Sequence, residues 1–306
     1  MSFRRHENQI SIVLGQCATS VKLAGRGRWE FTLANGKPLG VTARLSDEWL
    51  MLDAPVSERI AYGGRWDLLR LNAGIRGLSR FALMKQVRLR ADIPLAEDED
   101  DAAICDASSG LTVRLLETCA ELKAAFGGFL GEKPGDHGAA VRDRFEQPGE
   151  QRFEELRRLC SDTSWPFTER SAGKLMIDLD ARSAFYQACV EQREAGISVS
   201  VEILQPNVLS ETCRQALGLL LLGTSAQVKL ARPSVEENQD RINVRFEVRF
   251  ATTPTADELA HSFSGLSVAC DTAAREAQAL QDESIARDYL SSRLPPEPAL
   301  ATMASD

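Results

Sequence analysis

Apolar and polar residues alternate with period two in several short runs. Trp29, Phe31 and Leu33 alternate with Glu30 and Thr32, and Val41, Ala43 and Leu45 with Thr42 and Arg44. Val87, Leu89, Ala91 and Ile93 alternate with Arg88, Arg90 and Asp92. Alternation sends one class of side chain to the core and the other to the opposite face, so these runs predict half-buried antiparallel strands. The apolar run Trp49–Leu52 adds a strand, and Asn35-Gly36 is a hairpin signal between the first two. Trp66–Ala73 reads as a short helix. A longer one runs from Ala102 to Ala125 behind the acidic run Glu97–Asp101, whose carboxylates suit a helix N-terminus.

The second half follows the same plan. Glu150–Cys160 predicts a helix, and Lys174–Asp180 and Ile197–Leu204 predict strands. Phe185–Val190 fits a strand or a short helix equally. Asn207–Leu222 predicts a helix capped by Asn207 and stopped by Gly223. Leu219–Leu222 makes that helix apolar nearly all round, which implies burial between two sheets or at an interface. Strands follow at Ala226–Ala231 and Ile242–Phe250, the latter alternating cleanly against Asn243, Arg245, Glu247 and Arg249. Thr255–Glu258 forms a capping box for a last helix that breaks and restarts before Tyr289.

Short matches tie the halves together. Trp29-Glu-Phe-Thr32 returns as Trp165-Pro-Phe-Thr168, and Ser109-Gly-Leu-Thr-Val113 as Ser264-Gly-Leu-Ser-Val268. Around the second match, the stripe Ile104, Ser108, Leu111, Leu115 maps onto Leu259, Phe263, Leu266, Cys270, and a proline precedes each helix at Pro94 and Pro254. This predicts a tandem duplication. The fold class expected is α+β: two tandem modules, each an antiparallel sheet with helices packed on one face, in the order (α)-β-β-β-α-β-β-α. Residues 127–149 hold six glycines and two prolines and read as a linker. The modules then span 1–126 and 150–292, before a disordered tail at 293–306 with Pro295, Pro296 and Pro298.

Composition narrows the function. The chain has 306 residues, 43% of them hydrophobic, and 36 Lys+Arg against 44 Asp+Glu. That describes an ordinary soluble globular protein. The longest apolar stretch, near Leu217–Leu222, is far below the ~18 residues of a spanning helix, so no membrane insertion is expected. No signal peptide is visible and a cytoplasmic location follows. The acidic balance opposes binding to a phosphate backbone, so no nucleic acid is expected. Seven cysteines without zinc-like spacing read as reduced, buried hydrophobes. Of three histidines, His6 falls in a frayed terminus, His137 in the glycine-rich stretch, and His261 four residues after a possible ion-pair partner, Asp257. Phosphate-loop, dinucleotide, zinc-protease and nucleophile-elbow motifs are absent. Asp178 and Asp180 read as a solvated strand face. The expectation is no catalytic residue, no metal and no cofactor; the remote alternative is a cysteine-dependent enzyme using Cys119 or Cys213.

Residues 65–92 carry seven basic side chains against Asp67 and Asp92. Arg88 and Arg90 should lie on the outer sheet face, as should Arg245 and Arg249 in the second copy. These four are the candidate partner-binding residues, suited to an acidic segment, unless they are only a solvated face. The acidic run Glu97–Asp101 could fold back onto this patch, recruit a basic partner or stay a solvated loop. Phe81 is the one aromatic between 67 and 92 and its parity turns it inward, which removes the stacking platform single-stranded nucleic acid needs.

The order of elements resembles the type III secretion chaperone fold, including the related YbjN-like bacterial regulators. The residues that carry the resemblance are the Trp-x-Phe opening at Trp29, the helix Trp66-Asp-Leu-Leu-Arg-Leu-Asn72 and the strand Val87–Pro94 with its Ile-Pro ending. It implies a non-enzymatic module that binds an extended segment of a client protein. It also implies homodimers, which two linked copies would replace by a pseudo-dimer within one chain. The alternative is a structural or regulatory scaffold working through pseudo-dimer or homo-oligomer contacts.

Overall fold

The structure, a computed structural model, describes residues 2–34, 37–46, 48–57, 64–95, 101–131, 149–171, 173–182, 184–193, 196–238 and 240–293. The hairpin signal Asn35-Gly36, the acidic residues 97–100, His137, the central part of the glycine-rich stretch (132–148) and the tail 294–306 lie outside them, as do the side chains of 101–109.

The first module runs α1 (Ser2–Cys17), β1 (Ser20–Gly25), β2 (Arg28–Leu33), β3 (Leu39–Leu45), β4 (Trp49–Ser57), α2 (Gly64–Gly74), β5 (Arg80–Leu83), β6 (Val87–Pro94) and α3 (Asp101–Phe129). The second runs α4 (Gly149–Asp162), β7 (Phe167–Ser171), β8 (Lys174–Leu179), β9 (Tyr186–Arg193), β10 (Gly196–Leu204), α5 (Glu211–Gln227), β11 (Arg232–Asn238), β12 (Arg241–Phe250), α6 (Ala256–Ala279) and α7 (Glu283–Arg293). Each module holds one six-stranded antiparallel sheet. The strand orders are β1-β2-β3-β4-β6-β5 and β7-β8-β9-β10-β12-β11, the same path twice. Two tandem α+β modules are therefore present, each with one more leading strand than the sequence pattern implied.

The alternating runs do what period two requires. Trp29, Phe31, Leu33, Val41, Ala43, Leu89 and Ile93 are all buried. They face α1, through Ile10, Val13 and Leu14, and α3, through Leu115, Cys119 and Leu122. In the second module Leu175, Ile177, Val190, Val199, Val244, Phe246 and Val248 pack under Leu259, Phe263 and Leu266 of α6. Each such side chain contributes roughly 1.5–3 kcal/mol of burial. The capping box is formed: Glu258 N–H donates to Thr255 Oγ1 at 3.2 Å and Thr255 N–H to Glu258 Oε2 at 2.9 Å.

Several expectations are corrected. The N-terminus is the helix α1, because Ile10, Val13 and Leu14 fall on one face and are buried. Phe185–Val190 resolves as the strand β9. The helix α5 is capped by Ser210, whose Oγ accepts the Cys213 N–H at 3.3 Å, and not by Asn207. It passes through Gly223 to Gln227, so no strand forms at Ala226–Ala231 and β11 starts at Arg232. A glycine inside a helix costs about 1 kcal/mol, less than the burial of Leu220, Leu221, Leu222 and Val228 returns. The Trp29 and Trp165 tetrads are not equivalent: Trp29 lies on β2, while Trp165 precedes β7, the counterpart of β1. Likewise Pro94 closes β6, but Pro254 lies beyond β12. The Ser109 and Ser264 pentads do occupy matching helices, α3 and α6.

Candidate functional site

The central helices do not stay with their own sheets. Helix α2 lies on β11 of the second sheet, α5 lies on β5 of the first, and the two helices cross. At the crossing, Gly218 of α5 lies directly against Arg65 of α2. A Cβ at Gly218 would sit 2.8 Å from the Arg65 Cβ and 3.3 Å from the Arg65 carbonyl carbon. The exchange is reciprocal, each central helix on the other module's outermost strand, so the two modules are related by an approximate two-fold axis through the helix crossing. The pairing also covers β5 and β11, each an edge strand open to stray strand addition.

Arginines fix this pairing. Arg80 donates to the Ser225 and Val228 carbonyls at 3.3 and 3.1 Å, and Arg90 to the Ala226 carbonyl. In return, Arg249 donates to the Ala73 and Ile75 carbonyls at 2.7 and 3.3 Å, and Arg232 to those of Gly77 and Ser79 at 2.8 and 3.0 Å. Each sheet thus caps the carbonyl end of the other module's central helix, where unpaired acceptors and the negative dipole favour a cation. The charges are balanced inside the protein. Arg80 lies 2.5 Å from Asp92, and both are fully buried. Glu247, also fully buried, lies 2.9 Å from Arg249 and 3.4 Å from both Arg232 and Arg245. Burial pushes the Asp92 carboxyl up, but Arg80, Arg90 and the Leu230 N–H together hold it below its ordinary range. Burial draws Arg232 down to about 10, against Glu247.

Further ties surround the axis. Asn72 donates to the Pro233 carbonyl at 2.9 Å and accepts the Phe81 N–H at 2.7 Å, joining both edge strands. Glu237 accepts the Trp66 indole N–H at 3.1 Å and pairs with Arg70 and Arg214. Arg114 of α3 grips Glu258 through two bonds, at 2.8 and 3.0 Å, and so pins α3 to the start of α6.

The four candidate arginines separate into two pairs. Arg90 and Arg249 reach across to the other module, as above. Arg88 pairs with Asp53 at 2.7 Å, and Arg245 pairs with Glu236 and Glu247 inside its own sheet. The outer faces that alternation assigned to water are, at this end of each sheet, covered by protein. Sequence reasoning missed Arg80, Asp92, Arg232 and Glu247 as a set; acids lying among the basic residues of one strand face were the available signal. Phe81 is buried as parity implied, its ring 5.8 Å from that of Phe129. His261 packs edge-on against Trp49, with ring centroids 5.0 Å apart. Asp178 accepts from Gln187 at 2.8 Å, and the Asp180 carbonyl accepts the Ser267 hydroxyl. Buried Cys213 donates to the Gln281 carbonyl.

Glu121 of α3 borders this interface, its carboxylate 3.4 Å from the Ser79 hydroxyl. Burial raises it to about 7, against the attraction of Arg232 and with added repulsion from Glu117. A raised carboxyl favours folding fully below its unfolded value near ~4.3. That contribution is lost as pH rises through about 7. Glu121→Gln keeps the neutral shape at every pH. Urea midpoints should therefore show the variant gaining on the wild type between pH 5 and pH 8, with little difference at the acid end.

Away from the axis the outer face of the second sheet is open. A groove of about 520 Å³ crosses β7 to β10 and β12, lined by Arg170, Lys174, Met176, Cys189, Glu202 and Arg245 among others. Lys174 pairs with Glu191 at 3.2 Å at its margin. Its outer border is β7, an edge strand exposed from Thr168 to Ser171. The corresponding edge of the first sheet, β1, is exposed throughout.

Among the described residues no His, Cys, Asp and Glu group could hold a metal ion, and no helix is long and apolar enough to cross a membrane. Comparison with protein-family models, with curated proteins and with solved structures found no match to this chain.

Proposed function

We propose that the protein is a non-enzymatic, cytoplasmic bacterial protein-binding module of the secretion-chaperone type, which holds an extended, acidic segment of a client protein along β7. The observation that carries this reading is the open groove beside an unpaired edge strand. A client strand added to β7 would gain main-chain hydrogen bonds, and every second side chain would reach the groove. Arg170 gives that groove a basic rim beside Lys174, which also pairs with Glu191, and Arg245 at its far side is paired with Glu236 and Glu247. The α2/α5 surface is filled within one chain, which favours client binding over a scaffold built through that surface.

The test is selection from displayed random peptides, followed by hydrogen exchange on the complex. Selected peptides should be extended and acidic, should protect β7 amides, and should bind roughly tenfold less tightly to Arg170→Glu/Lys174→Glu. Peptides without acidic preference, or protection that bypasses β7, would remove the proposal.

A further inference from the structure

The two sheets follow the same path, so β1 and β7 are equivalent edge strands, and their registers shift at the same point, after Leu23 and after Glu169. Their chemistry differs. On the helix side, Val21 stands opposite Phe31 and Leu23 opposite Trp29. Phe31 and Trp29 are buried, but Val21 is 38% and Leu23 58% exposed. At the position of Leu23, β7 carries Glu169, 3.7 Å from Arg157 of α4. A charge turned toward the core side discourages an apolar strand from adding at that edge, and β1 has none there. On the outer side, Arg28 stands opposite Gly25 of β1 and opposite Arg44 of β3. The equivalent pair in the second sheet is Lys174 opposite Glu191, joined at 3.2 Å. Arg28 and Arg44 are both exposed, and among the described residues neither has an ion-pair partner. Like charges directly opposite on neighbouring strands destabilise a sheet. Gly25 leaves Arg28 open toward the edge, since the space its Cβ would take is empty. Lys22 also points outward and is shared with Glu30 at 3.9 Å.

We propose that β1 is a second strand-accepting edge, for an extended segment of a partner protein in which apolar residues alternate with acidic ones. Added beside β1, such a segment pairs its main chain with the open edge. Its apolar residues cover Val21 and Leu23 and extend the first core. Its acidic residues fall on the other side, beside Lys22 and, across Gly25, toward Arg28. Neighbouring strands lie about 4.8 Å apart, which puts Arg28 about 10 Å from the added strand, a span that an arginine and a glutamate side chain bridge together. A second copy of this chain fits badly. Two-fold pairing of β1 with itself would bring Lys22, Arg28 and Arg44 of both copies onto one face, like against like. The assignment is independent of the reading of β7, because the two edges call for different segments: an apolar side chain that suits Leu23 meets a carboxylate at Glu169.

The probes are short fluorescein-labelled peptides that alternate valine with glutamate, valine with lysine, or serine with glutamate. In anisotropy titrations of the full-length protein, the valine–glutamate peptide should bind at least tenfold more tightly than either of the others, and added salt should weaken it. Hydrogen exchange on the complex should place the protection on β1 amides. Leu23→Glu and Arg28→Glu should each weaken binding about tenfold, with urea midpoints little changed because both side chains are exposed. Equal binding of the valine–glutamate and valine–lysine peptides, no binding, or protection on β7 alone would overturn the proposal; the last result would leave the β7 reading standing. Concentration-dependent dimerisation of the protein alone, lost in Leu23→Glu, would make a second copy the occupant and overturn it equally.

Discussion

Replacing Asp92 by leucine should lower the unfolding free energy by about 3–5 kcal/mol, the range for removing one partner of a buried ion pair. Arg80 would keep its charge, with no water and no counterion, in a site where both side chains are now fully buried. The Leu230 N–H would also lose its acceptor. Glu247→Leu should cost at least as much, because Arg232, Arg245 and Arg249 all lie within 3.4 Å of it. The double variant Arg80→Met/Asp92→Leu separates charge from packing. It should be more stable than Asp92→Leu, since no lone charge remains. It should fall short of wild type, since the Ser225 and Val228 carbonyls lose their donor. The pH dependence follows from the depressed Asp92 carboxyl. Its contribution is present above the unfolded value near ~3.9 and is lost as pH falls through the lower folded value. The gap between wild type and Asp92→Leu in urea midpoint should thus be widest near neutrality and shrink in strong acid. A gap that stays constant down to acid pH would mean that packing, not charge, is what leucine disturbs.

Most strands were legible because one face of each sheet is a plain apolar core. Val87 to Ile93 and Ile242 to Phe250 alternate without a break, and those side chains are buried. The edge strands that build the interface were not. Strands β5 and β11 both open on a fully buried arginine, Arg80 and Arg232, which period-two reading takes for a loop or a solvated position. The polar face was equally ambiguous, since Arg90 and Arg249 give the same alternation whether water or another helix covers them. What decides is a partner more than 130 residues away, a helix carbonyl such as that of Ala226, which no local window contains. The apolar run in α5 was the one local sign of that partner. A helix with no solvent face needs cover on all sides, and Leu217, Leu221 and Leu222 find it between α2, β5 and the two helices that follow. The groove left no trace in the pattern, because it depends on where α2 stops covering the second sheet.

The crossing of α2 and α5 sets how the modules unfold. Gly218 lets the helices touch at backbone distance, and a side chain there has nowhere to go: its first carbon already meets the Arg65 Cβ and backbone. Gly218→Ala gains about 1 kcal/mol of helix propensity and loses a similar amount to the contact, so its midpoint should move little. Gly218→Leu adds three more carbons at the axis and should cost about 3 kcal/mol, the upper range for overpacking. The loss is cooperative because helix separation also strains Asn72 to Pro233 and Trp66 to Glu237. Each module keeps its own sheet and its own α1/α3 or α4/α6 layer, so the leucine variant should part the modules before either core melts. Trp66, on α2, reports the interface, while Trp29 reports the first core and Trp165 packs on Phe263 of the second. In the wild type, fluorescence and circular dichroism should follow one urea transition. In Gly218→Leu, fluorescence should change first, at lower urea, with the circular-dichroism loss following. A leucine variant whose two signals still coincide at the wild-type midpoint would mean that the modules are not held together at this crossing.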